Sequence, residues 1–226
     1  MKTLITRTVT GIAYLSVLGF AFFFSKYALL AVFTTLMLIA IIEYINLTHK
    51  FSPQTAPRIS HPANRILLPV VWIIVPVLLL EYWCIGLKAN NIMVALLIIL
   101  CANDTLAYVF GSLFGKHKMC PKISPKKSWE GFFGGLISTL IVTHFFTQIP
   151  YFQNNIFTNS YIWIGFAVVV IVAGTFGDLT ESMVKRFANQ KDSGNILPGH
   201  GGVLDRIDSM LFAIPAGFIY WGIFKI

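Results

Sequence analysis

Asp178, Asp205 and Asp208 fall in one polar stretch, Gly177 to Ser209, that separates two apolar runs. The same stretch carries the cations Lys185, Arg186, Lys191 and Arg206 and a glycine-rich turn at Gly199, Gly201 and Gly202. Carboxylates suit hard Mg²⁺, which usually takes one or two of them and completes its shell with water and phosphate oxygens. Cations and a turn that exposes backbone N–H groups bind anions. Such a set suits phosphoryl chemistry. Asp205 and Asp208 are three apart, so on a helix their carboxylates point the same way. Both acids would also simply favour a helix N-terminus. With His200 set between glycines just upstream and Arg206 interleaved, metal plus phosphate is the better account. Asp178, Ser182 and Lys185 share a face if their helix continues past the apolar run, and Glu181 and Lys185 could pair on it.

A second polar cluster, Asn103, Asp104 and Thr105, interrupts an apolar run, where an ionisable residue is costly enough to suggest a function. Next comes KHKMCPKISPKKSWEG, Lys116 to Gly131. A basic loop beside a membrane is commonly a topology signal, yet Ser124, Lys126, Lys127 and Ser128 also offer donors for phosphate. Glu43 near the end of an earlier apolar run is a further candidate partner with no assigned role. Glu81 and His144 read as structural.

The elements that must position these residues are membrane helices. The chain has 226 residues, 56% hydrophobic and only 12% charged, too little polar surface for a soluble domain. Its apolar runs are continuous rather than alternating, which excludes a β-barrel. The reading is an all-α polytopic membrane bundle with about seven spans: Thr8 to Phe24, Ala28 to Leu47, Ile66 to Glu81, Ile92 to Gly111, Gly131 to Ile149, Ser160 to Gly177 and Asp208 to Phe224. Most of the 17 basic residues lie in alternate loops, which places those loops and the N-terminus in the cytoplasm. This gives a single integral-membrane domain, 1–226. Its N-terminal spans, 1–91, serve packing and lipid contact; its catalytic half, 92–226, carries cytosolic loops 112–130 and 178–207. The net charge of +8 sits in loops and forms no basic domain, so nucleic acid is not an expected partner. Cys84, Cys101 and Cys120 lack CxxC spacing and read as free thiols. The basic then apolar N-terminus has no small-residue cleavage site and reads as a retained first span. Pro69, Pro76 and Pro215 predict kinks, and Gly131 and Gly135 have the spacing that lets helices approach closely.

The run Ser182, Met183, Val184, Lys185, Arg186, then Lys191, Asp192, Ser193, Gly194, Ile196, Leu197, Pro198, His200, Gly201, Gly202, Val203, Asp205, Arg206 and Asp208 resembles the C-terminal signature of phosphatidate cytidylyltransferases, the CDP-diacylglycerol synthases. Asn103, Asp104, Thr105, Ala107, Tyr108, Gly111 and Gly115, with Ile123 to Gly131, resemble the family's second region. The resemblance covers the chain from about Asn103 onward. It implies joining of CTP and phosphatidate to give CDP-diacylglycerol and pyrophosphate, with Mg²⁺ required. It assigns Asp178, Asp205 and Asp208 to the metal; Lys185, Arg186, Lys191 and Arg206 to CTP phosphates and the leaving pyrophosphate; and Ser124, Lys126 and Lys127 to substrate phosphate. Asn103, Asp104, His200, Gly201 and Gly202 fall on the substrate side of the same assignment. A homodimer is implied, in the inner membrane if the source is bacterial, with the active site facing the cytoplasm. Family members commonly have more spans, so what the resemblance implies is an N-terminal helix or two missing or compressed here. Competing readings are a CTP-dependent polyprenol or phytol kinase, a cytidylyltransferase acting on another lipid phosphate, and a transporter. A transporter would place its charges near the midplane of broken helices.

Overall fold

The computed structural model describes residues 16, 19, 25–51, 61–87, 90–146, 160–196 and 201–224. The first span expected from the sequence, Thr8 to Phe24, lies almost wholly outside them, as does His200. Helix α1 runs Lys26–Thr48, started by Ser25, whose Oγ accepts the Ala28 amide at 3.1 Å. After it come α2 (Pro62–Pro69), a π-helical turn (Val70–Ile74), α3 (Val75–Glu81) and a second π-helical turn (Tyr82–Gly86), which together make one continuous rod. The first wide turn falls between Pro69 and Pro76. Pro76 has no N–H for the carbonyl four residues back and its ring crowds that carbonyl, so the backbone widens and the Val75 amide bonds Val70 instead.

Helices α4 (Asn90–Phe114), α5 (Trp129–Phe146), α6 (Ser160–Phe187) and α7 (Leu204–Phe224) follow, with a hairpin of β1 (Lys118–Cys120) and β2 (Ser124–Ser128) between α4 and α5. Among the described residues five helical rods are long and apolar enough to cross a membrane: Tyr27–Thr48, Asn64–Gly86, Asn91–Phe114, Ser160–Phe187 and Leu204–Phe224. The chain is therefore a membrane helical bundle, and α5 occupies the run expected as a further span. Large apolar side chains such as Ile66, Val71, Leu113, Ile137, Ile141, Tyr161 and Ile219 face outward, as lipid-facing helices require.

Two departures from the sequence reading bear on the site. Helix α6 continues ten residues beyond Gly177 and α7 begins four residues before Asp208, so Asp178, Lys185, Arg186, Asp205, Arg206 and Asp208 stand on rigid helix, while Lys191 stays in the loop between them. Lys185 and Arg186 in the last turn of α6 suit its C-terminal partial charge. The basic loop is an antiparallel hairpin, Lys118 opposite Ser128 and Cys120 opposite Ser124. Pro125 is tolerated within it because both strands are edges.

Inside the bundle the stacked rings of Trp163 and Phe166, with centroids 5.6 Å apart, adjoin buried Trp83, whose ring meets Phe218 edge-on at 5.5 Å. Close helix approach is set by glycine. A Cβ on Gly135 would stand 2.9 Å from the Ala107 amide nitrogen, and one on Gly131 2.8 Å from the Ala107 carbonyl, so α5 lies directly on α4. A Cβ on Gly177 would meet the α7 backbone at Asp208 and Ser209. The three cysteines are free thiols, as expected.

Candidate active site

The ends of α4 and α6, the starts of α5 and α7, the hairpin and the last turns of α1 meet at one end of the bundle, and the charged residues gather there. Lys127 on β2 places Nζ 2.7 Å from Oδ2 of Asp178 on α6. The other Asp178 oxygen accepts from Ser182 Oγ one turn on, at 3.3 Å, as the shared face predicted. Arg186 Nε donates to the Ile123 carbonyl in the hairpin at 3.1 Å, a second tie between hairpin and α6. Glu130 secures the base of the hairpin: its carboxylate accepts the Lys116 and His117 amides and meets the His117 ring Nδ1 at 2.6 Å. The Trp129 amide donates to the His117 carbonyl across the same mouth.

Lys185 bridges two helices. Its Nζ lies 2.6 Å from Glu181 Oε2 on α6 and 2.7 Å from Asp205 Oδ1 on α7. Glu181 is fully buried, and its Oε1 has no hydrogen-bond partner among the described residues. The pairing of Glu181 with Lys185 was legible from their spacing; their burial against Asp205 was not. Asp205 Oδ2 accepts the Ser193 amide at 2.9 Å and the Gly202 amide at 2.8 Å, so this acid also closes the loop before α7. Gly201, at the edge of that turn, has φ of 87°, a left-handed conformation that suits glycine.

Asp208, one turn into α7, accepts the Ser209 amide at 2.8 Å and lies within electrostatic reach of Asp178 and Asp104. Asp104 in turn feels Asp178 and Lys127. Carboxylates from α4, α6 and α7 thus face a common region with Lys127 and Lys185 at its border. Among the described residues no three acids, histidines or cysteines converge closely enough to grip a single ion. Two carboxylates, Asp178 and Asp208, repelling each other on adjoining helices, still match what Mg²⁺ usually takes from protein. Asp205, after three bonds, retains about one of its four acceptor positions.

The remaining sequence candidates are spread around this centre. Arg206, Lys191 and Lys126 are exposed, Ser124 is half-buried on β2, and Asn103 is buried beside exposed Asp104. Buried Gly202 contributes its amide to Asp205. The structure adds Glu43 and Ser193, which had no assigned role. Glu43 is buried on α1 and accepts Ser193 Oγ at 2.9 Å. The signal for Glu43 was present: an acid inside an apolar run needs a partner.

Fold and site together define a polytopic membrane protein with an acidic and basic centre at one end of its helices, suited to anionic substrates. The chain belongs to the cytidylyltransferase family, whose profile matches residues 50–224. It is 47% identical over 121 residues to a phosphatidate cytidylyltransferase of Haemophilus influenzae, a stretch covering 52% of this chain and 41% of that protein. It is 50% identical over 115 residues to one from Staphylococcus haemolyticus, covering 50% of this chain and 42% of the relative. A Staphylococcus aureus phosphatidate cytidylyltransferase matches at 47% over 118 residues, 52% of this chain and 44% of the relative. The matched stretches thus span less than half the length of these curated relatives.

Proposed function

We propose that the chain transfers the cytidylyl group of CTP to phosphatidate, giving CDP-diacylglycerol and pyrophosphate, at a membrane surface facing the cytoplasm. The observation that carries this reading is the gathering of Asp178, Asp205 and Asp208 with Lys127 and Lys185 at one end of a membrane bundle of the cytidylyltransferase family. A phosphatidate oxygen forms a bond to the α-phosphorus of CTP as the bond from that phosphorus to the bridging oxygen breaks, and that oxygen leaves with pyrophosphate. The nucleophile is already an anion, so no general base is required. The main task is to screen charge while two polyanions meet.

Of the three aspartates, Asp178 and Asp208 are the carboxylates that would hold Mg²⁺, while Asp205, bonded to Lys185 and to the Ser193 and Gly202 amides, would keep that lysine and the loop in place beside them. Bound there, Mg²⁺ would neutralise phosphate oxygens and orient the triphosphate. Lys185, held between Glu181 and Asp205, presents a fixed cation to the CTP phosphates, with Arg186, Lys191 and Arg206 around the leaving pyrophosphate. Lys127, Lys126 and Ser124 on the hairpin hold the lipid phosphate, and Asn103, Asp104, Gly201, Gly202 and His200 complete the substrate side. The active unit is a homodimer.

The test is incubation of the purified chain in lipid nanodiscs with labelled CTP, phosphatidate and Mg²⁺, beside Asp208→Asn. Lipid-linked cytidine and pyrophosphate appearing together, dependent on Mg²⁺ and lost in the variant, is the expected result. Release of CDP with a phosphorylated lipid alcohol on adding polyprenols, or no lipid product, overturns the reading.

A further inference from the structure

We propose that Glu43 is a positioning residue for the aspartate-bearing start of α7, so that helix α1, which lies ahead of the matched residues 50–224, sets the geometry of the site. The proposal rests on the functional reading above. Glu43 is 3% exposed, and its carboxylate is surrounded by donors. Oε1 accepts the Val203 amide at 3.0 Å, and Oε2 accepts the Leu204 amide at 2.9 Å and the Ser193 hydroxyl at 2.9 Å. The first amides of a helix have no partner within it, and negative charge is favoured at that end. Here a carboxylate from a separate helix supplies both.

The loop is shaped to this carboxyl group. A Cβ on Gly194 would lie 2.8 Å from Glu43 Cδ, and one on Gly202 2.7 Å from it, so both positions bring backbone against the acid. Asp205 follows Leu204 directly and grips the same loop from the other side. Ser193 gives its hydroxyl to Glu43 and its amide to Asp205. Asp205 in turn holds Lys185. Displacing the Val203 and Leu204 amides therefore shifts Asp205, its lysine and, one turn on, Asp208. Of the residues assigned to the substrate side, Glu43 lies against the backbone of Gly202, whose amide is given to Asp205; its own hydrogen bonds go to Ser193, Val203 and Leu204.

The test uses the whole chain in nanodiscs with Glu43→Ala, Glu43→Gln and, as a packing control, Leu47→Ala. Leu47 is buried one turn further along α1 at 1% exposure, belongs to the apolar core and has no part in the site assigned above. Glu43→Ala is expected to speed amide exchange at Val203 and Leu204 about tenfold or more, because two buried donors lose their acceptor. It should lower kcat by about 10- to 100-fold with KM for phosphatidate nearly unchanged, the signature of misplaced groups. Glu43→Gln, which keeps one acceptor oxygen, should recover part of the rate. Leu47→Ala should lose comparable Tm while kcat per folded molecule stays within about twofold. Equal kcat loss in Leu47→Ala and Glu43→Ala, or a Glu43→Ala protein with lower Tm and normal kcat, overturns the proposal. If the wild type forms no CDP-lipid, the functional reading fails by itself. Exchange at Val203 and Leu204 then decides the anchoring, and unchanged exchange in Glu43→Ala rejects it.

Discussion

Lys127 of the hairpin and Asp178 of α6 form an ion pair of 2.7 Å between side chains about one-third exposed. A pair that wet contributes little to stability, about 0–1 kcal/mol. What it does is fix where a flexible basic side chain sits, beside a carboxylate assigned to metal and across from Asp208. The hairpin is thereby registered on α6 at two points, the second being Arg186 on the Ile123 carbonyl.

Lys127→Met should therefore separate stability from activity. Its thermal midpoint is expected within a few degrees of wild type, while kcat/KM for phosphatidate falls about 100-fold, as for loss of a fixed charge at a phosphate. Lys127→Arg should restore part of it. Unfolding by near-UV circular dichroism together with CDP-lipid formation checks both halves.

Lys185 presents the opposite case. It is 13% exposed and sits between a fully buried Glu181 and a nearly buried Asp205. Lys185→Met leaves two carboxyl groups facing each other without a cation, which costs roughly 3–5 kcal/mol for a buried pair broken on one side. Adding Glu181→Leu removes one of those acids, so the double variant should regain most of the lost stability and none of the activity. A double variant no more stable than Lys185→Met would show that Glu181 is not what Lys185 balances.

The class of fold was legible because apolar run length reports directly on membrane spans. The gathering of charge was legible because acids and cations placed between such runs have few other reasons to be there. Element ends were less so: apolar runs stop at Gly177 and restart at Asp208, but backbone hydrogen bonding carries α6 on to Phe187 and starts α7 at Leu204. The hairpin was hidden because Pro121 and Pro125 read as loop, whereas its closure depends on Glu130, a contact across more than ten residues. Glu43 was visible as an anomaly, but its partners lie about 160 residues away, a separation no local pattern reports. The division of labour among the aspartates, with Asp205 bonded to the loop and Lys185 and Asp208 facing Asp178 and Asp104, is a tertiary fact.

The Gly131 and Gly135 spacing, which occurs by chance in many membrane segments, is used here against Ala107. Gly135→Ala puts a methyl 2.9 Å from a backbone nitrogen that cannot step aside. Overpacking of this kind costs about 1–3 kcal/mol, and it would push α5 from α4 at the base of the hairpin. Gly222→Ala, on α7 with open space around it, should be neutral or slightly stabilising. Unfolding in graded detergent mixtures should rank wild type and Gly222→Ala together, above Gly135→Ala.

Glu130 gives the hairpin a defined response to acid. Its own backbone amide, then the His117 side chain and the His117 amide, hold its carboxyl down to about 2 from an ordinary 4.5. A carboxylate whose pKa is lower folded than unfolded stabilises fully above the unfolded value, and that contribution is lost as pH falls through the folded one. The Tm advantage of wild type over Glu130→Gln should therefore be constant from pH 7 to about 5, narrow below about 4.5, and vanish near pH 2. A gap that widens on acidification would mean the Glu130 carboxylate is not stabilised by these donors. Amide exchange at Lys116 and His117, both bonded to that carboxylate, should follow the same course and localise the loss to the hairpin mouth.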